Sequence, residues 1–353
     1  MRLTAAFMAG LLAFSPVATL AQSEQMDEAL DISRLLLNPP EGVDLAYGAF
    51  QRGYYLTALR LAERRAANGD AIAQTLIGEI HANGLGVPQD IPRAITWYAQ
   101  ADQNGDIQAT FQLAMIYQAG TGVPRNRERA AALFKKAADG GHMAAKYNLG
   151  LLHVEGTYAE PNLVQAAELI GEAAEAGLPE AQYDYAIMLL EGAGVAPNTS
   201  EALNLLEMAA EQGLPEAQVE YATLLYMGAR DGARDAEGAA RWYGRAAEAG
   251  NAVGQVRYAM MLAAAEGVGE DFETAAMYRA LARRQGLTED ALDQMLRGAD
   301  PATLARAEER ARYWPAVPPA DPAAETEAPP TDEPLPETLN SLPVPLDDLT
   351  TPG

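Results

Sequence analysis

Only three histidines occur in this 353-residue chain, His81, His142 and His153, and there is no cysteine. The groups that most often carry acid–base, nucleophilic or metal chemistry are therefore scarce, and disulfides, thiolate metal sites and cysteine nucleophiles are excluded. No H-E-x-x-H zinc motif and no G-x-S-x-G nucleophile elbow is present. His81 and His153 occupy one place in a recurring pattern where other copies carry Tyr117, Leu189, Leu225 and Leu262, so both are expected in a core and not as ligands. The pairs Gly84/Gly86, Gly120/Gly122 and Gly192/Gly194 resemble fragments of a phosphate loop. They follow helical stretches instead of strands, however, and no lysine comes after them. Carboxylates are plentiful, 49 Asp and Glu against 25 Lys and Arg, but no pair stands out as acid and base. The net charge of −24 argues against a nucleic-acid partner, which would call for a basic footprint. The chemistry thus points to a protein that is not an enzyme and holds no cofactor or metal.

The elements that position these residues are set by a ladder of glycines: Gly69, Gly105, Gly141, Gly177, Gly213, Gly250 and Gly286. The rungs are 36 residues apart, with one step of 37. Self-similarity at such a period marks a repeat architecture. With 71–106 as the reference unit, its copies are 107–142, 143–178, 179–214, 215–251 and 252–287. Each opens with a segment apolar at helical spacing, such as Ala181, Tyr185, Met188 and Leu189. A glycine loop follows, its first glycine able to stop a helix in the left-handed conformation. Then comes Asp90, Asn126, Asn162, Asn198, Asp235 or Asp271, a residue type that caps a helix start. The next segment repeats alanine in two rows, at 94, 130, 166, 202, 239 and 275 and at 101, 137, 173, 209, 246 and 282, seven residues apart on one helix face. The pattern predicts an all-α fold: an α-solenoid of stacked antiparallel helix pairs with a 36-residue period.

These residues resemble the Sel1-like repeat, a tetratricopeptide-type solenoid family with a longer loop between its helices. The match rests on Ala73, Ile77, Gly78, Gly84, Gly86, Val87, Asp90, Ala94, Trp97-Tyr98, Ala101 and Gly105, and covers roughly 71–287. Tyr158 and Arg230 replace the second loop glycine and 215–251 carries a one-residue insertion, so those loops are expected to follow other paths. The resemblance implies an adaptor binding a protein or peptide. Some periplasmic relatives act on sensor kinases or polysaccharide assembly, so a regulator that silences an envelope kinase or modulates such assembly is the alternative. Others are linked to β-lactam chemistry, which would call for an S-x-x-K tetrad; none is present here.

Outside the repeats, 1–21 read as a cleavable signal for export to the periplasm or beyond. Arg2 leads an apolar stretch from Ala5 to Phe14, Pro16 breaks it, and Thr19-Leu20-Ala21 offers small residues for cleavage after Ala21. The run is too short to span a bilayer, and no span occurs later. Residues 22–42 form a linker or helix, 43–70 a short tetratricopeptide-like unit, and 288–314 capping helices. In 315–353, 11 of the 22 prolines and eight acidic residues occur with no basic one, so this tail is expected to be disordered. An idle, solubilising tail is the favoured reading, a spacer or docking segment the other.

The binding surface is sought on the first helices, which line the concave side in solenoids of this type. In the fourth and fifth units their variable face reads Glu180, Asp184, Ile187, Glu191 and Glu216, Glu220, Thr223, Met227. Carboxylates interleaved with apolar groups suit a basic, partly apolar peptide, and an ordinary solvated face is the equal alternative. Charge also varies along the chain, from a net of +3 in 107–142 to −6 in 179–214, which favours oriented docking. The oligomeric state is left open by the sequence.

Overall fold

A computed structural model describes residues 44–156, 160–230 and 232–316. Among them are sixteen α-helices, one short 3₁₀ turn and no strand. The signal (1–21), the linker or helix of 22–42, Tyr158 and the tail from 317 lie outside the described residues. Two short helices, α1 (Leu45–Gln51) and α2 (Tyr55–Ala66), come first. Six pairs follow: α3 (Ala71–Asn83) with α4 (Ile91–Gln103), α5 (Ile107–Ala119) with α6 (Arg127–Asp139), and α7 (Met143–Glu155) with α8 (Leu163–Glu175). Then come α9 (Pro179–Glu191) with α10 (Thr199–Glu211), α11 (Pro215–Tyr226) with α12 (Ala236–Glu248), and α13 (Ala252–Ala264) with α14 (Phe272–Arg284). The chain closes with α15 (Asp290–Met295) and α16 (Pro301–Tyr313). Each first helix packs on the second helix of its own unit and on that of the unit before, which makes the stack a solenoid.

Local chemistry explains the regularity. Asp90, Asn126, Asn162, Asn198, Asp235 and Asp271 each accept a hydrogen bond from the amide three residues on, satisfying a free donor at the start of a second helix. The two alanine rows are 0–2 % exposed, so the helix backbones approach closely. The seven ladder glycines adopt φ between 83° and 92°, and in six of them an added Cβ would meet nothing within 4 Å. Here conformation demands glycine, not space.

At the second loop glycine the reason is space as well. A Cβ on Gly194 would lie 2.0 Å from the Leu163 carbonyl oxygen, because each loop rests on the first turn of the preceding unit's second helix. Arg230, in the glycine's place, instead reaches back to that helix with its guanidinium, 2.8 Å from Glu207 Oε2 on α10 and 2.6 Å from the Tyr221 hydroxyl. The sixth unit departs at the first glycine: Ala265 ends α13 in the left-handed region, at φ 53°.

A buried polar tie crosses each junction where glutamine stands fourth in the first helix. Gln74, Gln182, Gln218 and Gln255 donate from Nε2 to the carbonyls of Ala66, Ala174, Ala210 and Ala247 at 3.1–3.4 Å. In three of them the Oε1 accepts in turn from the end of the unit's own second helix, from Asn104 (2.8 Å), Gln212 (2.8 Å) or Gln285 (3.1 Å). Ala249 stands at the matching place in the fifth unit, and Gln218 Oε1 is buried with no partner. Ala249→Gln is expected to restore the donor, since its backbone (φ −72°, ψ −4°) matches that of Gln212 (φ −74°, ψ −3°). Relief of one unsatisfied acceptor is worth about 1 kcal/mol, so thermal unfolding should show a midpoint raised by roughly 2–4 °C. An unchanged or lower midpoint would refute the tie.

His81 is a second orphan. It is buried, as its repeat position predicts, and neither ring nitrogen finds a partner. Burial, then the Arg93 charge, hold its pKa below the ordinary 6.5, against the opposing pull of Asp90 and Glu63. A lowered value means that the folded chain resists protonation more than the unfolded one does. Stability is therefore kept above pH 6.5 and lost as pH falls through it. His81→Leu, the residue at the matching places 189, 225 and 262, is expected to stabilise the protein at pH 7 by about 1 kcal/mol or more. The advantage should widen between pH 6.5 and 5 in denaturant titrations; one that narrows on acidification would show that His81 is satisfied as it stands.

Candidate functional site

The other two histidines hold no shared site. His142 caps α7, its Nδ1 accepting from the Ala145 amide at 3.2 Å, while Nε2 meets Gln108 Oε1 at 2.9 Å and the ring stacks on Phe111. His153 corrects the expectation of a core residue. It is only half-buried, because its Nδ1 turns outward to the Glu160 carbonyl at 2.8 Å, beside a cavity of about 550 Å³. Among the described residues no three His, Asp or Glu side chains come together as a metal site.

The acidic face of α9 and α11 is brought together in part. Asp184 and Glu220 occupy the same place in successive first helices and are half-buried, while Glu180 and Glu216 lie exposed one turn before them. Pro179 and Pro215 open the two helices without a side-chain cap, so Glu180 and Glu216 stand in first turns where the helix dipole favours negative charge. Asp184 Oδ2 accepts from the Tyr147 hydroxyl of α7 at 2.8 Å, a bond between adjacent first helices. Burial pushes the Asp184 carboxyl above the usual range, opposed by the tyrosine bond and assisted by Glu180. Burial alone raises Glu220. Tyr183 lies in the field of both, since burial and then the charges of Glu220, Asp184 and Glu216 raise its phenol. No cation pairs with Glu180, Asp184, Glu216 or Glu220 among the described residues, whereas Asp44, Asp102, Glu207, Glu266 and Glu273 each hold one.

Ile187 and Thr223 line the middle of this face, half-buried, with Thr223 Oγ1 2.8 Å from the Tyr243 hydroxyl. Glu191 and Met227 do not join the cluster. Both stand at the far ends of their helices, about 16 Å along the axis from Glu180 and Glu216. Met227 is nonetheless 73 % exposed, an apolar side chain left in solvent. Tyr147 and Tyr183 were not anticipated. Their signal is the aromatic run Phe111, Tyr147, Tyr183 at one repeat position, next to that of Asp184. The arrangement supplies carboxylate acceptors and phenol faces set partly out of water, which suits holding an ammonium or guanidinium group.

The Sel1 repeat model matches residues 71–106, 107–142, 144–178, 179–214 and 215–251, five of the six pairs. The pair at 252–287, whose first loop glycine is Ala265, lies beyond that match. A protective antigen of uropathogenic Escherichia coli with an SLR fold is similar in structure (TM-score 0.61, 26 % identity, 72 % of this chain covered); the chain spans 56 % of that protein. A Sel1 repeat protein from Oxalobacter formigenes is similar too (TM-score 0.59, 28 % identity), over 68 % of this chain and 98 % of its own. No curated protein matches the sequence. Among the described residues no helix is long and apolar enough to cross a membrane. Sel1 repeat proteins are in general scaffolds for protein interaction, without catalysis of their own. With the helix-pair stack, its glycine ladder and the family match over half its length, the chain belongs to the Sel1 repeat family.

Proposed function

We propose that this protein is an exported, non-enzymatic scaffold that holds a basic, partly apolar segment of another protein against the first helices of its fourth and fifth units. One observation carries the reading: Asp184 and Glu220 are carboxylates set half out of water, with burial raising both, and with no cation beside them among the described residues. Such groups gain most from a cation supplied from outside, because a charge-assisted bond is stronger where water is scarce. Tyr147 and Tyr183 offer aromatic faces for the stem of a lysine or arginine. Ile187 adds apolar contact, and the surrounding negative charge speeds encounter with a positive partner.

Export rests on the N-terminal stretch. Protein recovered from the periplasm of an expressing bacterium is expected to begin at Gln22 when its terminal residue is read by mass spectrometry. Recovery with Met1 still attached would overturn that part.

For binding, peptides selected from a random library on the mature chain should carry Lys or Arg next to apolar residues. Their affinity is expected to fall at least tenfold for the double variant Asp184→Lys/Glu220→Lys at low salt, and the wild-type affinity to weaken as salt is raised. Selected peptides without basic residues, or equal binding to the double variant at low salt, would overturn the assignment.

A further inference from the structure

Past the acidic cluster the first-helix face changes character. Between α11, α12, α13 and α15 lies a small cavity of about 140 Å³, walled by Tyr226, Tyr243 and the methionines Met260, Met261 and Met295. Nearly all its polar groups are engaged. Glu266 Oε2 accepts from the Tyr226 hydroxyl at 2.8 Å and Oε1 meets Arg234 at 2.6 Å. The Tyr243 hydroxyl is taken by Thr223. Arg257 is the exception: exposed, at the place Asp184 and Glu220 hold in the preceding units, and without an ion pair or hydrogen bond among the described residues. A cavity of this size takes one side chain, since about 150 Å³ lined with apolar groups holds a benzene. Methionines adapt to aliphatic shapes. The site therefore asks for one aliphatic side chain with a carboxylate next to it.

We propose that the occupant is this chain's own Leu346-Asp347-Asp348-Leu349, with a leucine in the methionine cavity and an aspartate on Arg257. Three considerations point to that segment. The stretch from 317 to 353 carries acidic residues and no basic one, so the cluster around Asp184 and Glu220 repels it, while Arg257 attracts it. Within the stretch, 346–349 is the place where two leucines flank paired acids without an intervening proline. The reach also suffices. Trp314 lies against Gly250, two residues before α13, and α13 is about 20 Å long. The thirty residues from Ala316 to Leu346 span roughly 30 Å as a coil.

The test uses the mature full-length chain with ¹³C-methyl methionine, the signals of Met260 and Met295 being assigned by single substitution to leucine. Leu346→Ser/Leu349→Ser is expected to move both signals while other methionines stay in place, which also shows that the fold is intact. Asp347→Asn/Asp348→Asn and Arg257→Gln should each move them in the same direction, and 0.5 M salt should mimic the aspartate variant. Identical Met260 and Met295 signals in the wild type and the leucine variant would overturn the docking. Movement in the leucine variant without any in the aspartate or Arg257 variants would overturn the role of Arg257.

Discussion

Close approach between neighbouring helix backbones is the constraint on which this structure depends. A pair of thirteen-residue helices has too little apolar surface to fold alone, and it gains the rest from its neighbours on either side. Alanines 0–2 % exposed set that distance along every second helix. Once the backbones are so near, other positions lose their freedom. The loop glycine must lack a Cβ because the previous helix is already there: at Gly267 an added Cβ would stand 2.1 Å from the Ala236 carbonyl oxygen. The ladder glycine must take positive φ because only a tight left-handed turn returns the chain into the next groove without lengthening the repeat.

Close packing also seals polar groups away from water, and the solenoid answers with glutamine. The second helix of one unit ends in carbonyls that have no partner within the helix. The first helix of the next unit sends a glutamine to one of them, and that glutamine is met in turn by a residue further along the stack. Three successive elements are thus joined by a dry hydrogen-bonded chain that is specific to register, as alanine contacts alone would not be. At Gln218 the chain is broken because its last member is Ala249, so the tie between the fourth and fifth units stops at the Gln218–Ala210 bond, and the Arg230–Glu207 ion pair joins the same two units from the loop.

The features legible in the sequence were those where one residue type recurs for a local reason. The cap residues, the alanine rows and the ladder glycines each answer to the backbone beside them, and each stands where the period puts it. Less legible was whatever depends on a neighbour. Gly194 was readable as part of the loop glycine pair, but its clash with Leu163 belongs to another unit. His153 shares a repeat position with His81 and yet turns outward, because the Glu160 carbonyl of its own loop takes the ring nitrogen. The acidic face could be named from Glu180 to Glu220, but Glu191 and Met227 were grouped with it by helical phase, which ignores distance along the axis. The methionine cavity draws Met295 from a capping helix outside the period, and no repeat pattern foretells it.

The face proposed for binding keeps two carboxylates without a matching cation among the described residues. Elsewhere several carboxylates are matched by cations: Arg306 and Arg310 both serve Glu273, and Arg65 joins Asp44 to Asp70. Asp184 and Glu220 are instead half-buried, raised by burial and without a cation among the described residues, so in their charged form they cost the free chain stability. A solvated surface needs no such arrangement, since an exposed carboxylate keeps its hydration. The expense falls where two adjacent first helices present equivalent positions, and the next unit replaces the acid with Arg257. Over three successive repeats the face thus runs acid, acid, base, an order that distinguishes one direction of an extended ligand from the other. On the binding mode proposed above, a ligand with cations over α9 and α11 would turn its other end towards Arg257, so charge would favour one polarity over the other.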